Sequence, residues 1–260
     1  MIKLFRHIRK SLIEKNQTGR YFKYAIGEII LVVIGILIAL QINNWNEFQK
    51  LKQSETAILL DLKEELKNNF EIANGSVENN LINTRACIRI DSIIKTNKLT
   101  SNLNTLDSLF IILGNISSFK PERSITDQMI NSGKLEIISN TNLKSLITNW
   151  VTELERSEND VKYTVDNYTM NLMPYLMKHF PLSNGDTIKK NFPSFIPMYA
   201  SKSNLKTDFS KLNLLEFENN IWHHKHNIDY LIRRDMKLSL LVKPILEEIN
   251  KSLKTLNAND

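Results

Sequence analysis

Few side chains in this chain are placed to do chemistry. The first is Glu28, a carboxylate inside the apolar run "YAIGEIILVVIGILIALQINNW", Tyr24 to Trp45. In hydrocarbon an ionised carboxylate costs up to about 2.5–3.5 kcal/mol on insertion scales, less near the interface. Such a group must snorkel toward the headgroups, pair with Lys23 or Arg20, or take a proton. It also borders a seam, because Gly27, Leu31, Gly35 and Ala39 follow one another at i, i+4. Small residues let a second helix approach closely, and a polar group beside them can bond across the contact. Gly27, Glu28, Gly35 and Ala39 are therefore the candidate transmembrane interaction site, its partner a second copy of the chain or another membrane protein. One span cannot enclose an ion pathway.

The second candidate is "WHHKH", Trp222 to His226. His223 and His226 stand three apart on one helix face, and Asp229 continues that face, which makes a weak Zn²⁺ or Cu²⁺ set. A further ligand would have to come from elsewhere, and Lys225 sets a repelling charge among the three. A solvated or partly packed turn fits these residues better, so no metal or cofactor is expected. Cys87, the one cysteine, sits in an apolar repeat and reads as a small buried hydrophobe. Met170, Met173, Tyr175 and Met177 read as a core stripe. No nucleophile elbow, zinc-protease pair or phosphate-binding glycine loop occurs, so no enzyme is expected.

These residues need elements to hold them. From Ala25 to Ile42 a helix reaches ~27 Å, the thickness of a bilayer core, and Ile29 to Leu40 carry no polar side chain. Aromatic residues flank it, with Tyr21, Phe22 and Tyr24 before and Trp45 after. Residues 1–24 hold seven basic residues against Glu14 alone, whereas 43–60 hold only Lys50 and Lys52. The positive-inside rule then puts the N-terminus in the cytoplasm and the remainder across the membrane. The exit "ILIALQIN" lacks a small-x-small cleavage site, so the run is expected to stay as a signal anchor in the inner membrane, with a periplasmic C-terminal domain. The first turns, "MIKLFRHIRKSLIEK", read as a basic helix on the inner leaflet or as an unstructured topology signal.

Net charge is +6, yet residues 1–46 hold seven basic and two acidic residues, which leaves 27 against 26 in the rest. The large domain is nearly neutral and shows no basic stripe of the kind that tracks phosphates, so nucleic acid is not an expected partner. One cysteine excludes an internal disulfide framework.

Seven glycines and six prolines in 260 residues argue for long helices. The expected organisation is a cytoplasmic segment 1–24, a transmembrane helix 25–45 and an extracytoplasmic helical domain 46–260. Leu51, Ile58, Leu59, Leu62, Leu66, Ala73, Val77, Leu81, Ile88 and Ile94 suggest that the membrane helix continues outward as a stalk, with Asn74-Gly75 its natural break. Leu103 to Leu113 forms a helix ending at Gly114. Ser124 and Asp127 have capping-box spacing, Gly133 stops that helix, and Asn140 or Asn142 caps a long one reaching about Met177, bent at Pro174. Residues 181–212, with Pro181, Pro193 and Pro197, form the loop-rich connection. A last helix runs Leu214 to Leu256 and is expected to bend or break at Pro244. The fold class is all-α: a transmembrane helix continuing into an antiparallel helical bundle.

"YAIGEIILVVIGILIALQINNWNE" and "INSGKLEIISNTNLKSLI" resemble the domain of unknown function 6090 family, uncharacterised single-span membrane proteins of Bacteroidetes. The resemblance covers the N-terminal third and the central capped turn. It implies a single-span envelope protein with a helical exported part, and no activity. The expected role is a protein-interaction or scaffolding module, or alternatively a sensory or ligand-binding bundle acting through a partner membrane helix.

Overall fold

The computed structural model describes residues 18–187 and 199–258, so the basic segment before Thr18 and the prolines at 193 and 197 lie outside the described residues. Among the described residues every regular element is helical and no strand occurs. Helix α1, Thr18–Lys95, runs 78 residues without interruption. The expected break at Asn74-Gly75 is absent. An added Cβ on Gly75 would meet nothing within 4 Å, and one glycine in a helix interior costs only about 1 kcal/mol. The helix ends where Asn97 turns left-handed (φ 50°) and the Lys98 N–H reaches back to the Ile93 carbonyl.

Two compact units divide within α1, Met1–Ala57 and Ile58–Asp260. In the first, the window beginning at Ala25 has a mean hydropathy of 2.6 and no buried residue. Ile29 through Leu40 present their side chains outward. A soluble core helix buries such a surface, so this is a candidate membrane span.

The second unit is built on a 3–4 spacing. Along α1 the buried positions include an unbroken series at 59, 62, 66, 69, 73, 76, 80, 83, 87, 90 and 94, with 65, 84, 86 and 93 buried beside it. Helix α7, Leu214–Ala258, answers with 217, 221, 224, 228, 231, 235, 238, 242, 245, 249 and 252. Each spacing is a heptad seam. Bonds Asn74–Ser239, Ser76–Asp235 and Thr84–Asp229 pair rising numbers with falling ones, so the two helices are antiparallel. Expected stripe members Leu81 and Ile88 lie off this seam and are exposed. Polar residues occupy their places inside.

Between these two helices the chain folds α2 (Leu103–Leu113), α3 (Ser124–Asn131), α4 (Thr141–Asn167), α5 (Met173–His179) and α6 (Ser183–Asp186). One apolar cluster joins Leu62 and Leu66 to Met129, Ile147, Trp150, Val242 and Ile245. A second joins Cys87 and Ile90 to Phe110, Leu176 and Phe217. A polar layer separates them, formed by Ser76, Asn80 and Asn83 from α1 and His224 and Asp235 from α7.

The buried polar residues of α1 organise the connection from α2 to α3. Asn83 Nδ2 donates to the carbonyls of Ile112 and Leu113, both at 3.0 Å, and so caps α2. Asn80 and Asn69 each make a two-way bond with an extended backbone, at Ser117 and at Glu122. Glu65 then caps α3 from outside, accepting from the Ile125 and Thr126 N–H groups at 2.6 and 3.0 Å. That corrects the expected Ser124–Asp127 capping box: Arg123 occupies the cap position and bonds Asp127 instead.

Other terminators match the expectations. Gly133 adopts φ 71° after α3, and Asn140 accepts from the Leu143 N–H to start α4. Pro174 is absorbed by a π-turn over Tyr168–Leu172 between α4 and α5. Pro244 interrupts no helix. The bond it removes belongs to the Leu240 carbonyl, on an exposed face where water can accept the role. Of the methionine stripe, Tyr175 is buried while Met170 and Met177 are exposed. Those two methionines face away because the seam of α5 runs through Leu172, Tyr175 and Leu176.

Candidate functional site

The four span candidates lie along α1 in the first unit. Gly27, Gly35 and Ala39 are exposed and Glu28 is half-buried. A Cβ added at Gly27 or Gly35 would meet nothing within 4 Å, so nothing in this chain itself requires glycine there.

The histidine turn is divided among several tasks. His223 Nδ1 lies 3.2 Å from Asn167 Nδ2, and His226 stacks on Trp222 at 5.5 Å. Both line a cleft of about 350 Å³. Asp229 leaves that face: it pairs with Lys225 at 2.5 Å and accepts from Thr84 at 2.9 Å. The expected continuation of a ligand face through Asp229 is therefore corrected, since its carboxylate is held by a lysine and a threonine. Among the described residues no group of three His, Cys, Asp or Glu side chains is arranged to hold a metal. Cys87 is fully buried, and burial pushes its thiol up to about 12.

The residue between them is the buried one. His224 has no exposure, packs tilted against Tyr168 with ring centres 5.3 Å apart, and sets Nε2 3.2 Å from Asn83 Oδ1. Since Asn83 Nδ2 already donates to carbonyls, its oxygen accepts and His224 carries its proton on Nε2. Its Nδ1 has no partner among the described residues. Burial pulls the imidazole down to about 4; the Leu113 carbonyl acts weakly the other way. The folded chain thus keeps this ring neutral down to about pH 4, whereas an unfolded chain protonates it below 6.5. Between those values the unfolded state binds more protons, so stability falls as pH drops and levels off below about 4. The expected loss is roughly 3 kcal/mol, read as a fall in denaturation midpoint between pH 7 and 4 that is smaller in His224→Gln.

A wider cleft lies elsewhere in the second unit. Asn80 and Asn69 pin the extended segment at Ser117 and Glu122, so Ser118 to Pro121 stand as one wall of a cleft of about 520 Å³. The opposite wall is one face of α4, with Leu154, Ser157, Val161 and Val165 at helical spacing. The floor is apolar. Lys120, Arg123 and Lys162 rim it, and Arg234 stands at its inner edge.

Arg234 is fixed there. Its Nε donates to Asp235 Oδ1 at 2.8 Å, and its Nη1 to the Ser157 carbonyl at 3.1 Å. Asp235 has no exposure and also accepts from Ser76 Oγ at 2.7 Å. Arg234 and Ser157 also line a second cleft of about 430 Å³, with Arg156, Arg233, Lys237 and Tyr230. Glu153 bridges Arg156 and Lys237, and its carboxyl is held below the usual range chiefly by the Lys237 ammonium. The sequence shows no basic stripe, yet the fold gathers these cations, because α4 and α7 are antiparallel and set 153–157 against 234–237.

Fold and site together define an all-α protein with, among the described residues, one candidate membrane span and a helical unit carrying an apolar cleft rimmed by cations. The chain belongs to a family of unknown function, DUF6090, which matches residues 28–174, more than half of its length. That match takes in most of the candidate span, the polar seam of α1 and both walls of the larger cleft. No curated protein and no solved structure matches the chain.

Proposed function

We propose that this is a single-span protein of the cytoplasmic membrane, N-terminus inside, whose helical unit works on the outer side as a non-catalytic binding module. Two observations support the address: the wholly outward-facing apolar run and the seven basic residues before it. The observation that carries the role is the apolar cleft of about 520 Å³, within the size range of small-molecule sites. It favours ligand binding over scaffolding, because a scaffold needs an exposed face and not a walled concavity.

The test is a thermal-melt screen of the full-length protein in phosphatidylcholine nanodiscs against small metabolites and short-chain lipids. A ligand present at 100 times its Kd stabilises by about 2.7 kcal/mol, a plainly visible shift. Saturable stabilisation by at least one compound is expected; a flat screen contradicts the binding role.

A further inference from the structure

We infer that the cleft takes an anionic amphiphile, an alkyl chain bearing a phosphate-type head, with the chain on the apolar floor and the head against the arginines of the adjoining cleft. This rests on the binding-module reading and names its ligand class. Three features lead to it. The floor is formed by Phe119, Pro121, Leu154, Val161 and Val165, which offer contact to hydrocarbon and no hydrogen bond to a polar body. The two clefts share Ser157 and Arg234, so one ligand can lie across both.

The third feature is charge. Among the described residues around the two clefts stand seven basic ones and three acidic ones, Glu153, Asp160 and Asp166, in a chain whose residues after 46 are otherwise balanced. Asp235 and Asp127 answer Arg234 and Arg123 from behind, and a surplus of two cations remains. Arg233 and Lys120, both exposed, have no acidic partner among the described residues. Arg234 is preorganised as well: its bonds to Asp235 and Ser157 use three of its five N–H donors and hold the guanidinium still. A planar fork with spare donors is suited to phosphate or carboxylate oxygens. A hydrocarbon floor beside a fixed guanidinium discriminates against free phosphate, which has no tail, and against cationic amphiphiles, which the rim repels.

The experiment uses full-length protein in phosphatidylcholine nanodiscs, with empty nanodiscs as blank, titrated calorimetrically with octyl phosphate, octyltrimethylammonium and inorganic phosphate. Octyl phosphate is expected to bind saturably and roughly tenfold or more tighter than either comparison probe. Arg233→Glu, an exposed change that leaves the core untouched, is expected to weaken octyl phosphate roughly tenfold, and Val161→Trp to abolish it by filling the floor. Equal binding of octyltrimethylammonium, or an unchanged Arg233→Glu, overturns the anion preference while a binding cleft survives. Inorganic phosphate binding as tightly as octyl phosphate overturns the role of the apolar floor. If no probe binds and the metabolite screen is also flat, the binding-module reading falls with it.

Discussion

Replacing Asp235 with alanine is expected to destabilise the helical unit by about 3–5 kcal/mol. The carboxylate is fully buried in the seam between the two long helices, where Ser76 and Arg234 hold it. Removing it strands a guanidinium whose side chain is only 8 % exposed, and leaves a serine hydroxyl in the core without its acceptor. A charge left behind in a protein interior is far more costly than a missing attraction. The paired change Arg234→Met with Asp235→Leu, which removes both charges and keeps the volume, is expected to come within about 1 kcal/mol of the parent. Denaturation midpoints of the three proteins check this. A single Asp235→Ala change of under about 1 kcal/mol would show that the ion pair is not desolvated as described.

Asn83→Leu is expected to cost about 4 kcal/mol, since it orphans two buried groups at about 1–3 kcal/mol each. Those groups are the carbonyl of Leu113 and the Nε2–H of His224; the Ile112 carbonyl loses the amide but keeps the Asn115 N–H. The leucine matches the size of the side chain and suits a heptad position, so propensity and packing alone predict a neutral or stabilising change. The two views therefore differ in sign. Amide exchange of the α2 end should quicken in the variant, while a stabilised protein with unchanged exchange would refute the capping role.

These two residues also mark how far the fold is legible in sequence. Helix identity, the ends at Gly114 and Gly133, and the cap at Asn140 follow from residue types whose effects are local. The apolar stripe of α1 is harder. Reading only apolar residues selects Leu81 and Ile88, which are exposed, and skips Asn69, Asn80 and Asn83, which are buried. The 3–4 spacing passes unbroken through those asparagines, and that phase is the signal that finds them. Their partners are backbone groups 29 to 53 residues away, and no local rule foretells such pairing.

The same limit applies to the sites. Among the histidines, sequence spacing selects His223 and His226, whereas the heptad phase of α7 runs through His224. Asp235 stands in that phase between Leu231 and Leu238, a carboxylate among apolar neighbours, and reading it so would point to a buried partner. The cleft is not written in any one segment. It arises because α1 asparagines hold the 117–122 backbone away from α4, and because antiparallel packing brings Arg156 beside Arg233 and Lys237.

The proposed topology has α1 crossing the membrane with residues 58–260 outside. Cys87, buried and with a thiol pushed up to about 12, gives a nearly silent background for cysteine labelling. A single added cysteine at exposed Lys98, in intact spheroplasts treated with a membrane-impermeant maleimide, is expected to label fully without permeabilisation, and one at Lys3 only after it. Labelling of Lys3→Cys but not Lys98→Cys in intact spheroplasts, or recovery of the protein without detergent, would contradict the account.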